Sequence, residues 1–401
     1  MIIRWWLWSL FSLLNKITAF PSPTISFVID VQGCPNNVSY YHPTLKDVKN
    51  YTTYWNDPKV KGGAAWFFDV CTMSNPLYAL HPASDHPVFS KIVPVPCVGM
   101  TPYSKMPYNA GEKCGFMELY AYQEIAAASY FKSTGRNITA NRRIIVNVPD
   151  NCKFYGAGSQ GCSKSYCYVW VRSDRSFYWT IPGRTSPLMQ TVIHELGHTL
   201  DLQHSANVGG VPRPESKFWA YGDSSCVMGS VNSAGTCYNA PQARRLGYIK
   251  PVVDINVTDM APEVWRSYVL PLYTTSPINH ITMRSDSVPL TIFLSLRSKN
   301  AGINGADGDL NTDFSNVVSV HVQNIDLTMK PMIIALVPLG STYNINASAS
   351  MDNDYGGYGL TQSQRQTTEM MFRNIKNILR IRFVSLYKNK SGIVSISRVP
   401  Y

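Results

Sequence analysis

Apolar residues recur at different spacings along this chain, and each spacing predicts a different element. In GFMELYAYQEIAAASYFKST (115–134) they lie three and four residues apart, which predicts a long helix that ends at Gly135. The segments RIIVNV (143–148) and YCYVWV (166–171) are rich in β-branched and aromatic residues and are bounded by turn-forming residues, which predicts strands. Helix and strands together indicate a mixed α/β unit.

The last 150 or so residues follow a third pattern, short apolar runs separated by polar residues. These runs lie at 290–296, 317–322, 332–337, 381–386 and 393–397. Such runs are typical of antiparallel strands, so we predict a β-rich domain over 251–401. The fold class predicted for the whole chain is α+β, a mixed-sheet domain over 63–250 followed by an antiparallel β-domain.

The N-terminal segment predicts export. Arg4, an apolar run from Trp5 to Leu14 and a small residue at Ala19 form the pattern of a signal peptide over residues 1–19. The alternative is an uncleaved membrane anchor, which is disfavoured because the run is shorter than the roughly 20 residues that a span needs. Residues 20–62 are polar and rich in Asn, Tyr and Pro, and we interpret them as an N-terminal extension or short pro-segment with the packed core after it. No stable membrane span is expected.

Sequons and cysteines agree with a secreted, extracellular location. Asparagines that begin an Asn-x-Ser/Thr sequon stand at 37, 50, 137, 256, 346 and 389. Nine cysteines lie in the first 240 residues, and most should pair in an oxidising compartment, with Cys226 and Cys237 as a candidate bridge. Because nine is odd, one thiol is left over. A leftover thiol near the N-terminus is a candidate zinc cap, but a plain buried thiol is the favoured interpretation.

Charge excludes one class of partner. The 401 residues carry a net charge of +11 and a pI near 9.1, but the Lys and Arg residues are scattered and form no nucleic-acid-binding module. We therefore expect no nucleic-acid partner. The basic balance favours anionic surfaces or acidic glycans, as in an ordinary basic secreted protein.

A second helix carries the candidate chemistry. Ser186 is a candidate N-cap, and Pro187 fits the first helical position. Apolar residues at 188, 192, 196 and 200 form one face of this helix. His194 and His198 are two residues out of step and project to nearly the opposite side, one turn apart, where they can bind one ion. Glu195 lies beside the first histidine and is a candidate general base for a metal-bound water.

A catalytic zinc site needs a third protein ligand, and His204 is the candidate. His204 lies six residues beyond His198, so the chain must leave the helix and turn back between them. Glycine suits such a turn because it accepts positive φ, and Asp201, which lies in this interval, is of a type that adopts the left-handed region more readily than most other residues. Downstream, Met228 lies in a Gly-flanked turn, where its soft apolar side chain is a candidate floor beneath the three imidazoles.

These motifs resemble one family. HELGHTLDLQHS (194–205), YGDSSCVMG (221–229) and CYNAPQARRLGYIKP (237–251) are similar to the gametolysin-like metallopeptidases, which are secreted metzincins associated with green-algal cell-wall lysis. The resemblance covers residues 65–330 and implies a metzincin-like catalytic domain. It implies that His194, His198 and His204 bind Zn²⁺, that Glu195 is catalytic and that Met228 is the Met-turn residue. Substrates would be matrix or cell-wall (glyco)proteins, often proline- or hydroxyproline-rich. Asp201 departs from the Gly of the family pattern.

Three alternatives stay open. The chain is a non-enzymatic secreted matrix glycoprotein if its zinc site is only structural, and zinc content alone does not separate this from a peptidase. A nucleophilic hydrolase is disfavoured because the sequence has no Gly-x-Ser-x-Gly elbow. The loop 307–313 alternates oxygen ligands like a calcium loop but lacks the required Gly and Glu, so a polar connection is favoured. His280 and His321 are interpreted as packing or surface residues.

Overall fold

A computed structural model describes most of the chain as a mixture of helices and strands in which strands dominate. The described residues are 24–35, 41–73, 88–112, 114–141, 143–162, 166–173, 187–208, 211–212, 219–229, 235–285, 288–299, 305–324, 330–345, 379–387 and 390–399. The predicted signal peptide and the N-cap Ser186 lie outside these ranges. The described residues fall into two compact units. The first holds the described residues up to Asp69 and from 88 to Leu202, and the second holds Val70–Met73 and the residues from Gln203 onward.

The first unit is built on a five-stranded sheet with the order β2-β1-β5-β7-β6. Its strands are β1 (Thr24–Gln32), β2 (Val88–Pro96), β5 (Arg143–Val148), β6 (Gly156–Gly158) and β7 (Cys167–Arg172), and a small hairpin is formed by β3 (Val98–Met100) and β4 (Pro107–Asn109). Neighbours in the sheet are parallel except β6, which runs antiparallel to β7 at one edge. The strands predicted at 143–148 and 166–171 are confirmed within one residue at each end.

Strand β1 corrects the expectation for the N-terminal segment. It lies between β2 and β5, and its side chains from Thr24 to Ile29 are buried. The packed core of this unit therefore already includes residues 24–29, and the expectation that it begins only after residue 60 is wrong. The interpretation of 20–62 as an extension or pro-segment stays a prediction. The run TISFVIDV is apolar enough for a strand that is covered on both faces, as parallel sheets require.

The helices are α1 (Leu45–Asn56), α2 (Ala64–Cys71), α3 (Phe116–Thr134), α4 (Pro187–Thr199) and α5 (Ala240–Arg245). The predicted long helix is confirmed in α3, which ends where Gly135 adopts φ +71° and its N–H bonds to the Phe131 carbonyl. Among the helices placed here, none combines the length and apolarity needed to cross a bilayer.

The second unit contains two sheets. Its strands are β8 (Ala206–Asn207), β9 (Lys250–Asn256), β10 (Arg266–Pro271), β11 (Ile278–Ser285), β12 (Val288–Arg297), β13 (Val317–Asn324), β14 (Met332–Pro338), β15 (Thr342–Asn344), β16 (Leu379–Tyr387) and β17 (Ser391–Arg398). One sheet has the order β8-β14-β13-β12-β11-β9 and the other β10-β17-β16-β15. The five apolar runs predicted as strands are all found in strands. The pairing is antiparallel except at β8 and β9, which join their sheet in parallel.

The second unit also takes in residues 203–250, which the sequence placed with the catalytic domain. Contact between residues does not define a functional domain, so the predicted boundary near 250 stays a prediction.

All nine cysteines lie in described residues, and eight of them pair. The disulfides are Cys34–Cys97, Cys71–Cys237, Cys114–Cys152 and Cys162–Cys167. The predicted bridge between Cys226 and Cys237 is therefore wrong. Cys226 is the leftover thiol, and it is buried, which confirms the plain interpretation over a zinc cap near the N-terminus. Burial, together with the nearby Asp223 carboxylate, raises the pKa of Cys226 to about 12, so it stays protonated at neutral pH.

Candidate metal centre

Helix α4 carries two of the three candidate ligands. It begins at Pro187 and is buried from Met189 onward, where it packs against β6 and β7. The imidazole rings of His194 and His198 lie one turn apart with centroids 5.0 Å from each other. Both rings are nearly fully buried, so the helix presents them within the protein.

The chain leaves α4 through a tight left-handed turn at Asp201. This residue has φ +64°, and its N–H donates to the His198 carbonyl over 2.8 Å, while Leu202 N–H donates to the Gly197 carbonyl over 3.0 Å. This pair of bonds is a Schellman motif, which usually places glycine at the left-handed position. Asp201 therefore takes the conformation expected of the family's glycine.

The turn brings the third candidate ligand to the other two. One ring nitrogen from each of His194, His198 and His204 lies within 4.8 Å of the others. Nδ1 of His198 lies 2.8 Å from the Leu202 carbonyl, which only accepts, so Nδ1 carries the proton and Nε2 keeps its lone pair. Three imidazoles at this spacing, with one tautomer fixed for ligation, fit a zinc ion.

Glu195 lies in a dry position beneath the edge strand β6. Its side chain is only 6% exposed, and burial raises its pKa to about 8 in the absence of a metal. Two glycines of β6 allow this close approach. A Cβ at Gly156 would lie 2.6 Å from Oε1 of Glu195, and a Cβ at Gly158 would lie 2.8 Å from its carbonyl oxygen. A nearby dication would favour the ionised form, which is the form able to accept a proton.

Met228 is fully buried in the turn that the sequence singled out. Its carbonyl accepts a hydrogen bond of 2.9 Å from the N–H of Ser205, the residue after His204. The turn is thus tied directly to the segment that carries the third candidate ligand. Its role as a floor beneath the imidazoles stays a prediction.

Sequence reasoning missed a buried polar network around Asp223. Oδ2 of Asp223 accepts from Ser205 Oγ (2.7 Å) and Asn239 Nδ2 (3.0 Å) and lies 3.0 Å from His321 Nε2. Burial alone would oppose ionisation, but the His321 charge and these hydrogen bonds hold the pKa of Asp223 well below its usual range. The four side chains are fully buried.

Comparison with known proteins decides the family. The chain matches the family model described as gametolysin peptidase M11 over residues 24–335. The chain belongs to the gametolysin peptidase family. This match takes in β1, both candidate ligands on α4, His204 and most of the second unit.

One curated relative of this gametolysin-family chain is named autolysin, from Chlamydomonas reinhardtii. The two are 27% identical in an alignment 247 residues long, which covers 52% of this chain and 35% of the relative. The chain thus spans about a third of that relative's length. No solved structure matches this chain.

The structure gives polar partners to two minor candidates, Asp307 and His321. Asp307 of the supposed calcium loop pairs with the buried guanidinium of Arg297, whose Nε lies 2.8 Å from Oδ2, which favours the polar connection. His321 is buried as expected of a packing residue, but it also has a defined polar partner in Asp223. No local motif marks this pair, because its members are 98 residues apart.

Proposed function

We propose that this member of the gametolysin peptidase family is a secreted zinc-dependent endopeptidase that hydrolyses peptide bonds in extracellular-matrix or cell-wall (glyco)proteins. The observation that carries the proposal is the cluster of three imidazole nitrogens within 4.8 Å, contributed by His194, His198 and His204. A histidine triad of this kind leaves a fourth zinc position for chemistry. The buried carboxylate next to the first ligand supplies the acid–base group that peptide hydrolysis needs.

The proposed roles follow from the positions of the residues. The three histidines would hold the zinc ion, which would supply Lewis-acid chemistry for peptide hydrolysis. Glu195 accepts a proton from the attacking water and then delivers it to the amine of the leaving peptide. Its burial beneath Gly156 and Gly158 excludes bulk water and fixes the carboxylate. Leu202 orients the His198 ring through its carbonyl.

Four disulfides support a secreted protein, because such bonds persist in oxidising compartments. The predicted sequon at Asn137 lies on an exposed position, which leaves it accessible to the glycosylation machinery. Mass spectrometry of protein collected from the medium, before and after glycosidase treatment, tests this part of the proposal. Absence of the protein from the medium would contradict it.

The reaction is tested with a library of peptides, the purified secreted protein and a zinc chelator. The Glu195→Gln variant should keep one zinc per chain and lose about 100-fold or more of turnover, since general acid–base groups contribute roughly that much. Glu263→Gln is the matched control, because Glu263 is half exposed and pairs with Arg380 away from the histidines in sequence. Zinc bound without turnover in any sample would instead support the structural-zinc glycoprotein.

A further inference from the structure

Trp219 combines an exposed side chain with a fixed backbone. The side chain is 54% exposed. The backbone N–H of Trp219 donates to Asn207 Oδ1 over 2.8 Å. The backbone carbonyl of Trp219 accepts from Gly222 N–H over 2.9 Å and from Asn207 N–H over 3.3 Å. Asn207 belongs to β8, three residues after His204. A Cβ at Gly222 would collide with the Asn207 side chain, so the turn Trp219–Gly222 is held closely against β8.

Three rings form a series that starts at a candidate metal ligand. The centroid of Tyr221 lies 4.0 Å from that of His204, with an interplanar angle of 40°. The centroid of Trp219 lies 5.8 Å from that of Tyr221, at 48°. Exposure increases along the series, from the half-buried His204 and Tyr221 to the exposed indole. We call Tyr221 and Trp219 the aromatic platform.

The indole of Trp219 presents a large apolar area to water. It contributes little to folding because it is not part of the core. Pre-ordered aromatic rings bind other aromatic rings in tilted or offset arrangements at low entropic cost. The turn WAYG (219–222) contains no charged side chain, so it offers contacts with its aromatic rings and no ion pair of its own. The chemistry of the platform therefore favours an aromatic side chain.

We propose that the aromatic platform is a substrate subsite, in which Trp219 and Tyr221 select an aromatic side chain of the peptide near the scissile bond. This inference rests on the proposed peptidase function, since it places the subsite beside a ligand of that metal centre. Trp219 is the specificity residue. Tyr221, which also contacts His204, links the subsite to the metal centre.

The test measures binding and turnover separately, with peptides that differ only in having Phe, Pro, Leu or Ala at each position around the cleaved bond. Binding is measured in the Glu195→Gln background. Trp219→Ala should weaken binding of Phe peptides about threefold to tenfold, the range of one aromatic contact, and leave Ala peptides unchanged. Trp219→Phe should restore most of the preference. In active protein the same loss should appear in kcat/KM for Phe peptides only.

Trp265→Ala is the matched control, because Trp265 is also partly exposed in the second unit and rests against Arg382. It should change neither binding nor selectivity. Equal loss for all peptides on Trp219→Ala, or a lost preference for proline or leucine instead of Phe, would overturn the subsite. Peptide binding that depends on Trp219 but is never followed by cleavage would overturn the proposed function and leave the subsite standing.

Discussion

The candidate metal ligands reach their positions by two different physical routes. His194 and His198 are set by one regular helix, whose hydrogen bonds and buried apolar face fix both rings at once. His204 lies in irregular chain, where the next residue, Ser205, is held by Asp223, Asn239 and the Met228 carbonyl. The helix route depends on local periodicity and the loop route on long-range polar contacts. The second should therefore be the more sensitive to single substitutions.

Asp223→Ala should have the largest effect on stability and on metal affinity. It removes the acceptor that Ser205, Asn239 and His321 share, and these buried polar side chains then lack a partner there. We expect the free energy of unfolding to fall by about 3 kcal/mol or more, because each buried donor left without its acceptor costs about 1–3 kcal/mol. Zinc affinity should fall about 10- to 100-fold, in line with the loss of groups that orient metal ligands. Urea denaturation and competition with a chelator measure the two quantities.

The control for that variant is Asp254→Ala, because the Asp254 carboxylate pairs with two partly exposed arginines, Arg284 at 2.7 Å and Arg244 at 3.3 Å. Its cost should stay below about 1 kcal/mol, as for surface ion pairs. If Asp223→Ala costs no more than this control, the loop that holds His204 does not depend on the buried network.

Gly156→Ala should displace the carboxylate of Glu195, the candidate general base, and leave metal binding unchanged. The new Cβ would lie 2.6 Å from Oε1 of Glu195 and 2.7 Å from Cγ2 of Thr191, so the carboxylate must move. We expect kcat to fall about tenfold or more, because a displaced acid–base group loses much of its contribution. Zinc content should stay at the wild-type value. Ala157→Ser, on the opposite face of β6, is the control, and an unchanged kcat in Gly156→Ala would contradict the contact.

Acid should destabilise the second unit through His280. Burial, with a smaller effect of Arg244, lowers the pKa of His280 to about 3, whereas the unfolded chain keeps a value near 6.5. The neutral ring's contribution is therefore complete above pH 6.5 and is lost as the pH falls towards 3, at about 1.4 kcal/mol per pH unit. The free energy of unfolding is measured with urea on metal-free protein at pH 7 and at pH 5. Between these two pH values it should fall by about 2 kcal/mol more in the wild-type protein than in His280→Asn. Equal losses would show that His280 does not titrate this way.

The smallest effects should be at Asp201. Asp201→Gly removes the penalty of positive φ but also loses the bond from Gln160 and makes the unfolded chain more flexible, so stability should change by less than about 1 kcal/mol. Asp201→Val puts a β-branched residue at φ +64° and should cost about 1–3 kcal/mol. Thermal unfolding measures both. A valine variant as stable as the glycine variant would contradict the strained turn.

The same contrast explains what could be predicted from sequence. Helix α4 and the histidine spacing follow from local rules, and so do α3 and the apolar strands of the second unit. The left-handed turn at Asp201 follows from the family pattern, which has glycine at that position. The Asp223–His321 pair and the disulfide partner of Cys237 depend on chain segments that fold together from distant positions. Strand β1 is not predicted from the sequence, because its short apolar run lies within a polar, Asn-rich segment. In the structure this run is covered on both faces.

Zinc K-edge X-ray absorption on the zinc-loaded protein, beside His204→Ala, tests the central claim most directly. The wild-type spectrum should fit three imidazole nitrogens at about 2.0–2.1 Å and one light-atom ligand, and the variant should lose one imidazole. A sulfur ligand at about 2.3 Å, or an unchanged imidazole count in the variant, would show that these histidines do not form the metal centre.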